Sequence, residues 1–446
     1  MKKGQLMKRA VIFLTLLLPI SLLLGLGYVV NGRVQAKPQL VDVGGPITTD
    51  TTWTAANSPY ILTNMVTVQT GVTLTIEAGV EVRFGVGAGS MVVNGRLQAI
   101  GTPTQPITFT SAADSAPGQW EGMILQGGSS QLENVEVRNG RESVLIGSLN
   151  PTATVQISNS LISHSSLTPL GIQAGNLHQV SLNNVTFANN VEGNNIVLYG
   201  ALTLGGDAVL TDQPGLDAYV VLHGGVSTEW FVIPPTHTLT VNSGVTLKFN
   251  SSAASLGLRV EGTLHTVGTQ TEPVIFTSDT DSAPNQWAGI VVENGNAQLE
   301  HTELRYGTYN LTVNNTAVST PVTLQNSQLY AAAMDGLLVM DGAVTAVCSR
   351  FTNNNGSGVF VLNTGQPTVQ ISSSALAGNG DAGLTNQNPA PVDARQNWWG
   401  DASGPSGIGP GSGNAVTGNV LFAPWLEEDT CATVSYQLYL PFVVTP

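Results

Sequence analysis

Three short stretches of this chain decide its fold. Residues 322–329, 344–351 and 369–376 read VTLQNSQL, VTAVCSRF and VQISSSAL, and their starts are 22 and 25 residues apart. Each begins with alternating apolar and polar residues, the period-2 pattern of a strand with one buried face. The second and third are followed by TNNNGSG and AGNGDAG, turns rich in residues that tolerate left-handed backbone. The pattern predicts a repeated unit of strand and turn.

Three more stretches of the same kind start at Val155, Val180 and Val392. In a stack of such units, which we call coils, equivalent positions lie about 4.8 Å apart along parallel sheets. Roughly 390 residues at about 24 per coil therefore predict an all-β parallel β-helix of about 16 coils. A propeller or an immunoglobulin-like sandwich would need repeats of about 40 or 100 residues. We expect the fifth position of each stretch to form a ladder of amides and hydroxyls at a bend; these residues are Asn159, Asn184, Asn326, Cys348, Ser373 and Gln396.

The chain also contains a longer repeat, which spans several coils. Residues 95–140 align without gaps to residues 262–307, with 23 of 46 positions identical. This internal duplication predicts two β-helix modules, residues 37–205 and 206–426, followed by a C-terminal tail at residues 427–446.

The N-terminus is typical of an export signal. Residues 1–36 combine Lys and Arg at the start, an apolar run from Val11 to Val30, and small residues up to Ala36. Cleavage there would give a secreted or cell-surface protein with no membrane span, and an uncleaved anchor is the alternative. Of 446 residues with a net charge of -14, removal of this segment leaves 10 basic and 29 acidic residues. Such an acidic chain is not expected to bind nucleic acid.

Charged residues make up only 10% of the chain, against roughly 25% in an ordinary domain. Stacking offers a reason, because a charge repeated on every coil would face its own copy. The two cysteines, Cys348 and Cys431, leave two interpretations open. One is a bridge that ties down the tail, and the other is a buried Cys348 with an unpaired Cys431.

Several motifs resemble secreted bacterial right-handed parallel β-helix proteins of the pectin-lyase-like superfamily. They are GxLxxxGTxxxP[IV]xFTS followed by QWxG in both modules, and DARQNWWGDASGP with PWL near the end. The resemblance implies a right-handed β-helix that ends in a C-terminal coil. We expect Trp398, Trp399 and Trp425 to cap the open end, which would otherwise expose apolar columns and unpaired strand edges. The resemblance does not choose a reaction, because the superfamily holds lyases, hydrolases, epimerases and adhesins.

The catalytic signatures of the resembled enzymes are absent from the sequence. It contains no Asp-Asp, no Gly-His-Gly and no Arg-x-Lys, so we assign no catalytic residue. Asp279-Thr280-Asp281 is better explained as a solvated turn than as a metal site, and the six histidines lack metal-ligand spacing. We therefore predict neither a metal nor another cofactor. Glu136 with Arg138, and Glu303 with Arg305, share a strand face and are expected to form surface ion pairs.

Trp120 and Trp287 are the weak candidate ligand-binding residues. Each lies in the motif Ala-Pro-x-Gln-Trp-x-Gly, between a polar turn and an apolar strand. Each could offer a flat platform for sugar stacking, or close a wider coil by packing over it. We expect a non-enzymatic secreted or cell-surface protein that contacts neutral polysaccharide or envelope material. The alternative is a polysaccharide lyase, hydrolase or epimerase of this superfamily.

Overall fold

The computed structural model describes residues 40–222, 230–252, 255–316 and 321–431. The predicted export signal and the last residues of the predicted tail lie outside this part of the chain. Within it, the protein is a right-handed parallel β-helix of about 15 turns, as the motifs implied. This agrees with the predicted all-β parallel β-helix of about 16 coils.

Each coil contributes strands to three sheets, which we call faces 1, 2 and 3 in the order the chain meets them. Face 1 consists of Thr51–Trp53, Thr73–Ile76, Arg96–Ile100, Ser130–Glu133, Ala208–Leu210, Thr238–Asn242, Thr263–Val267, Asn296–Glu300, Val322–Gln325, Ala343–Val347, Thr368–Ser372, Val392–Asp393 and Val420–Leu421. Two longer strands bend from face 1 into face 2, and these are Val155–Ser163 and Val180–Ala188.

Face 2 consists of Glu81–Phe84, Ile107–Ser111, Val135–Arg138, Ala218–Val221, Thr246–Phe249, Val274–Ser278, Thr302–Arg305, Gln328–Tyr330, Arg350–Thr352 and Ala375–Ala377. Two strands near the N-terminus bend from face 2 into face 3, and these are Val41–Ile47 and Tyr60–Val68.

Face 3 consists of Ser90–Val93, Gly122–Gly127, Glu142–Leu149, Thr168–Gln173, Asn195–Tyr199, Trp230–Ile233, Gly257–Val260, Ile290–Glu293, Leu311–Asn314, Leu337–Asp341, Val359–Val361, Leu384–Asn386, Pro405–Gly407 and Gly413–Gly418. The helical segments of the described chain are two 3-10 turns, Ala55–Asn57 and Ala174–Gln179. No helix in the described ranges is long and apolar enough to cross a membrane.

The core consists of columns of inward side chains in register from coil to coil. Val322, Val344 and Val369 stack in this way on face 1, and all three are buried. Alternate residues on each strand point outward, which is why the period-2 pattern is visible in the sequence. Stacking of neighbouring coils therefore supplies the apolar burial that no single coil could provide.

The bend between faces 1 and 2 lies at the predicted fifth position. Asn326, Cys348 and Ser373 all have positive φ there, at 52°, 50° and 51°. Asn and Gly adopt this left-handed conformation at least cost, which explains the frequent Asn at this position. The amide ladder is confirmed between Asn184 and Asn159, where Nδ2 donates to Oδ1 at 3.0 Å.

A second ladder lies one residue further along, inside the coil. Ser349 Oγ accepts a hydrogen bond from the backbone N–H of Ser327 at 3.3 Å, and Ser374 Oγ accepts one from Ser349 at 3.0 Å. Asn397 continues the ladder by accepting from the backbone of Ser374 at 2.8 Å. All four residues are buried, so the ladder satisfies backbone groups that the bend removes from the sheet.

The strand pairing changes face near the predicted boundary between the two modules. Asn195–Tyr199 on face 3 pairs with Ala218–Val221, which pairs with Thr246–Phe249 on face 2. Face 3 of the first module thus continues as face 2 of the second. Face 3 of the second module begins with Trp230–Ile233. An isolated parallel bridge joins Val232 of this strand to Thr203.

The tail returns to an earlier coil, at the ridge formed by the fifth-position residues of the bend. Cys348 and Cys431 form a disulfide with a sequence separation of 83 residues, so the unpaired interpretation is wrong. Asp429 beside it forms an ion pair with Arg350 at 2.5 Å. At the C-terminal end of the described coils, Trp399 is buried, Trp398 is half-buried, and Trp425 packs partly buried against the hydrophobic core.

Candidate functional site

One column of outward side chains on face 1 is polar and mostly uncharged, and we call it the Thr/Gln stripe; other outward positions of this face carry exposed apolar residues such as Ile100 and Val267. The stripe residues lie in register on successive strands, in two runs. The first run is Thr52, Thr75, Gln98, Gln131, Gln156 and Ser181. The second run is Thr240, His265, Gln298, Thr323, Thr345 and Gln370.

The stripe follows directly from strand geometry. Inward positions of face 1 need apolar residues, while the outward ones are half-buried or exposed and free to be polar. The second run begins after the apolar Val209 and ends before the charged Asp393, which occupy the same column on the neighbouring strands. With neighbours about 4.8 Å apart, the hydroxyls and amides present donors and acceptors at a regular spacing on a rigid surface.

Trp120 and Trp287 do not lie on this surface. Their side chains are 4% and 0% exposed, and they stack on Phe84 and Phe249 with ring centroids 3.9 and 4.7 Å apart. Each indole Nε1 donates to a backbone carbonyl, that of Arg138 at 2.9 Å for Trp120. No ring face is left for a sugar, so the platform hypothesis is corrected. Both residues close a wide coil by packing over it.

The loop before each tryptophan is closed by a glutamine. Gln119 Oε1 accepts from Ser111 Oγ at 2.7 Å and from the backbone N–H groups of Ser115 and Ala116 at 3.1 and 3.2 Å. Gln286 makes the corresponding contacts in the second module, beginning with Ser278 Oγ at 2.7 Å. The repeated Ala-Pro-x-Gln-Trp motif is therefore a structural clasp.

An aspartate in each loop joins the predicted Glu–Arg pair. Arg138 donates two hydrogen bonds to the Asp114 carboxylate, at 2.8 and 2.6 Å, and contacts Glu136 at 2.7 Å. In the second module Arg305 holds Asp281 at 2.7 and 2.6 Å and contacts Glu303 at 2.8 Å. The ion pairs within the strands are confirmed. The sequence analysis did not predict that Asp114 and Asp281 join these ion pairs. Both modules have Asp at this aligned position, and this identity could have indicated the contact.

These contacts hold both aspartates ionised. Hydrogen bonds from Arg138 are the main reason that the pKa of Asp114 lies well below its usual value. Burial opposes ionisation of Asp281, but the hydrogen bonds from Arg305 and Thr277 outweigh it, so its pKa is lowered as well. Burial, followed by the charge of Glu303, raises the pKa of Tyr330, whose hydroxyl contacts Arg305 at 3.1 Å. Each charge thus has an internal partner.

Asp279 and Asp281, which are close in the sequence, have different partners in the structure. Asp281 lies on Arg305, whereas Asp279 accepts hydrogen bonds from Asn250 Nδ2 at 2.9 Å and from the backbone of Ser251 at 3.0 Å. Among the residues that the structure describes, no three His, Cys, Asp or Glu side chains come together in a way that could hold a metal ion.

The Asp114–Arg138 pair predicts a specific acid sensitivity. Because the pKa of Asp114 is lowered in the folded state, its stabilisation is complete above the unfolded pKa of about 4 and is lost as pH falls further. We expect the wild-type free energy of unfolding in urea to drop by about 1–2 kcal/mol more than that of Asp114→Asn between pH 5 and pH 2. Asp42→Asn, at an exposed acid, is the matched control. Parallel pH curves for wild type and Asp114→Asn would contradict this assignment.

Comparison with known proteins agrees with the fold. The family model described as "Pectate-lyase like beta helix domain" matches residues 45–160. Over 73 residues the chain is 40% identical to Protein bark beetle of Drosophila melanogaster, a match covering 16% of this chain and 2% of that protein. No solved structure matches the chain. The family match and the parallel coils are together consistent with the pectin-lyase-like superfamily.

Proposed function

Because the chain is a pectate-lyase-like parallel β-helix, we propose that it is a secreted or cell-surface protein that binds neutral polysaccharide along face 1 without cleaving it. The Thr/Gln stripe is the observation that carries this proposal. A hydroxyl or an amide both donates and accepts hydrogen bonds, as the hydroxyls of a neutral sugar do. A repeating surface can therefore meet a repeating ligand at many points.

Rigidity adds to the argument. Stripe residues project from strands that pair on both sides, as Gln131 does with Gln98 and Gln156, so little backbone order has to be gained on binding. Individually weak contacts then add up, because the cost of ordering the surface is met by folding. The acidic excess of the chain opposes polyanionic ligands and favours neutral ones.

The charged groups of both modules support binding over catalysis. A catalytic acid or base needs a side chain that can reach a substrate, whereas Asp114 and Asp281 are each held by two hydrogen bonds from an arginine. The duplication also supports a structural reading, since both modules carry the same pair. An extracellular address is supported by the Cys348–Cys431 disulfide, because such bridges persist in oxidising compartments.

Two substitutions on the stripe test the proposal. Gln98→Glu with Gln156→Glu keeps the shape of the side chains but adds two carboxylates that cannot donate hydrogen bonds. We expect binding to insoluble cellulose or xylan, measured as depletion from solution, to weaken at least about tenfold. The control carries the same charge change in turns beside face 3, as Gln69→Glu with Gln387→Glu, and is expected to bind as wild type.

The same samples distinguish the enzyme alternative. Wild type is incubated with neutral and uronic polysaccharides in the presence of calcium, and the solution is assayed for reducing ends and unsaturated products. Turnover that a single carboxylate or arginine substitution abolishes would establish the lyase, hydrolase or epimerase reading. Unchanged binding by the doubly substituted stripe variant would show that face 1 is not the binding surface.

A further inference from the structure

A cleft of about 350 Å³ opens on the second module, where successive coils turn from face 2 into face 3. Its apolar lining includes Leu338 and Phe360, outward neighbours in register on adjacent strands. Its polar lining includes Tyr309, Asp335 and Asp381. The cleft lies on a different surface from the Thr/Gln stripe and is independent of the proposed polysaccharide binding. Its volume falls within the usual range of small-molecule sites.

A glycine makes room for this cleft. The backbone of Gly356 donates to the carbonyl of Met334, and the backbone of Asp381 donates to the carbonyl of Gly356, at 2.9 and 3.1 Å. The three residues thus occupy equivalent positions on successive coils. A Cβ at Gly356 would lie 2.6 Å from Asp335 Oδ1. Glycine therefore leaves a notch between Met334 and Asp381, beside the carboxylate of Asp335.

The cleft places two acids in a mainly apolar setting. Asp335 is 8% exposed, and its Oδ1 accepts a hydrogen bond from the backbone of Ser357 at 2.7 Å. Burial raises the pKa of Asp335, the hydrogen bond from Ser357 lowers it, and the negative charge of Asp381 raises it again. The residues lining the cleft include no Lys, Arg or His. No positively charged residue in this lining therefore balances the carboxylates of Asp335 and Asp381.

We propose that this cleft binds a small organic cation, an ammonium group carried on an apolar or aromatic body. The ammonium would lie between Asp335 and Asp381, where it lowers the repulsion between the two carboxylates. The body would lie on Leu338 and Phe360, and the rings of Phe360 and Tyr309 also attract a cation. A bare metal ion fits less well, because calcium takes six to eight oxygen ligands and this lining is mostly apolar.

A matched pair of probes tests the proposal. 2-Phenylethylamine and 2-phenylethanol share one body and differ in the charge of the polar group. Titration calorimetry on the full chain at pH 7 is expected to show the amine binding at least about tenfold tighter than the alcohol. Asp381→Asn should remove most of that difference, because it removes one charge at an exposed side chain and leaves the fold intact. Phe360→Ala should weaken both probes.

Controls separate the cleft from the general acidity of the protein. Asp42→Asn removes an exposed acid far along the chain and is expected to bind the amine as wild type does. Asp335→Asn keeps an oxygen that can accept from Ser357, so it should fold and still lose affinity for the amine. Equal binding of amine and alcohol, or unchanged binding by Asp381→Asn, would overturn the proposal. Calcium that displaces the amine at equal concentration would show a metal site instead.

Discussion

Replacing Trp287 with alanine is expected to lower the free energy of unfolding by about 3–5 kcal/mol. The side chain is 0% exposed and stacks on Phe249, so its removal leaves a large cavity in a close-packed coil. Its Nε1 also donates to the carbonyl of Arg305 at 2.8 Å, and this acceptor would lose its partner. Urea unfolding followed by circular dichroism measures the total effect. Hydrogen exchange should locate it in the coils around residues 246–314, because each coil contacts mainly its neighbours.

Two further variants make this result specific. Trp287→Phe keeps a stacked ring but loses the N–H donor, so we expect a smaller loss of about 1–3 kcal/mol. Trp230→Ala removes a half-exposed tryptophan from face 3 and should cost less than either. A loss for Trp287→Ala no larger than that for Trp230→Ala would show that the clasp motif does not hold its coil.

The second large effect is expected for the disulfide. Cys431→Ser should lower the free energy of unfolding by about 4.5 kcal/mol, because the bridge closes a loop of 83 residues and restricts the unfolded chain. It also holds the tail against an earlier coil, so hydrogen exchange should increase between residues 349 and 431. Urea unfolding of wild type with and without reductant measures the same quantity without a substitution.

The contribution of the bridge can be separated from that of its ion pair. Asp429→Asn removes the partner of Arg350 but leaves the bridge, and we expect a loss of no more than about 1 kcal/mol. Cys348→Ser should match Cys431→Ser, because each breaks the same bond. If reductant leaves the wild-type curve unchanged, the tail does not stabilise the coils it crosses.

Much of this fold was visible in the sequence because a stacked coil repeats its own constraints. The inward column of Val322, Val344 and Val369 needs an apolar residue at every coil, and a left-handed bend favours Asn, as at Asn326. Both demands leave a period in the sequence. The ladder was placed partly at the wrong position, since the bend residue mostly points outward and the next residue carries the buried hydrogen bonds.

Other features left no such period. The change of face at the module junction depends on Asn195–Tyr199 pairing with Ala218–Val221, which only three-dimensional pairing reveals. The burial of Trp120 depends on Phe84, which is far away in the sequence and lies on the preceding coil. The stripe was not recognised from the sequence, because its continuity depends on the register between strands, such as that of Gln131 with Gln98 and Gln156. Contacts between residues far apart in the sequence determine the change of face and the burial of Trp120, so a local sequence pattern could not predict them.

The ridge of fifth-position residues has a consequence for how other segments attach to the coils. Its side chains leave the coil at regular steps, outside the inward columns, although the positive φ of residues such as Asn326 favours Asn and Gly there. Asn159 and Asn184 link to each other, whereas Cys348 at the equivalent place links to the tail. The ridge thus works as a row of attachment points on an unchanging frame. At Cys348 a single side chain joins the tail to this frame, while the column of Val322, Val344 and Val369 stays in register.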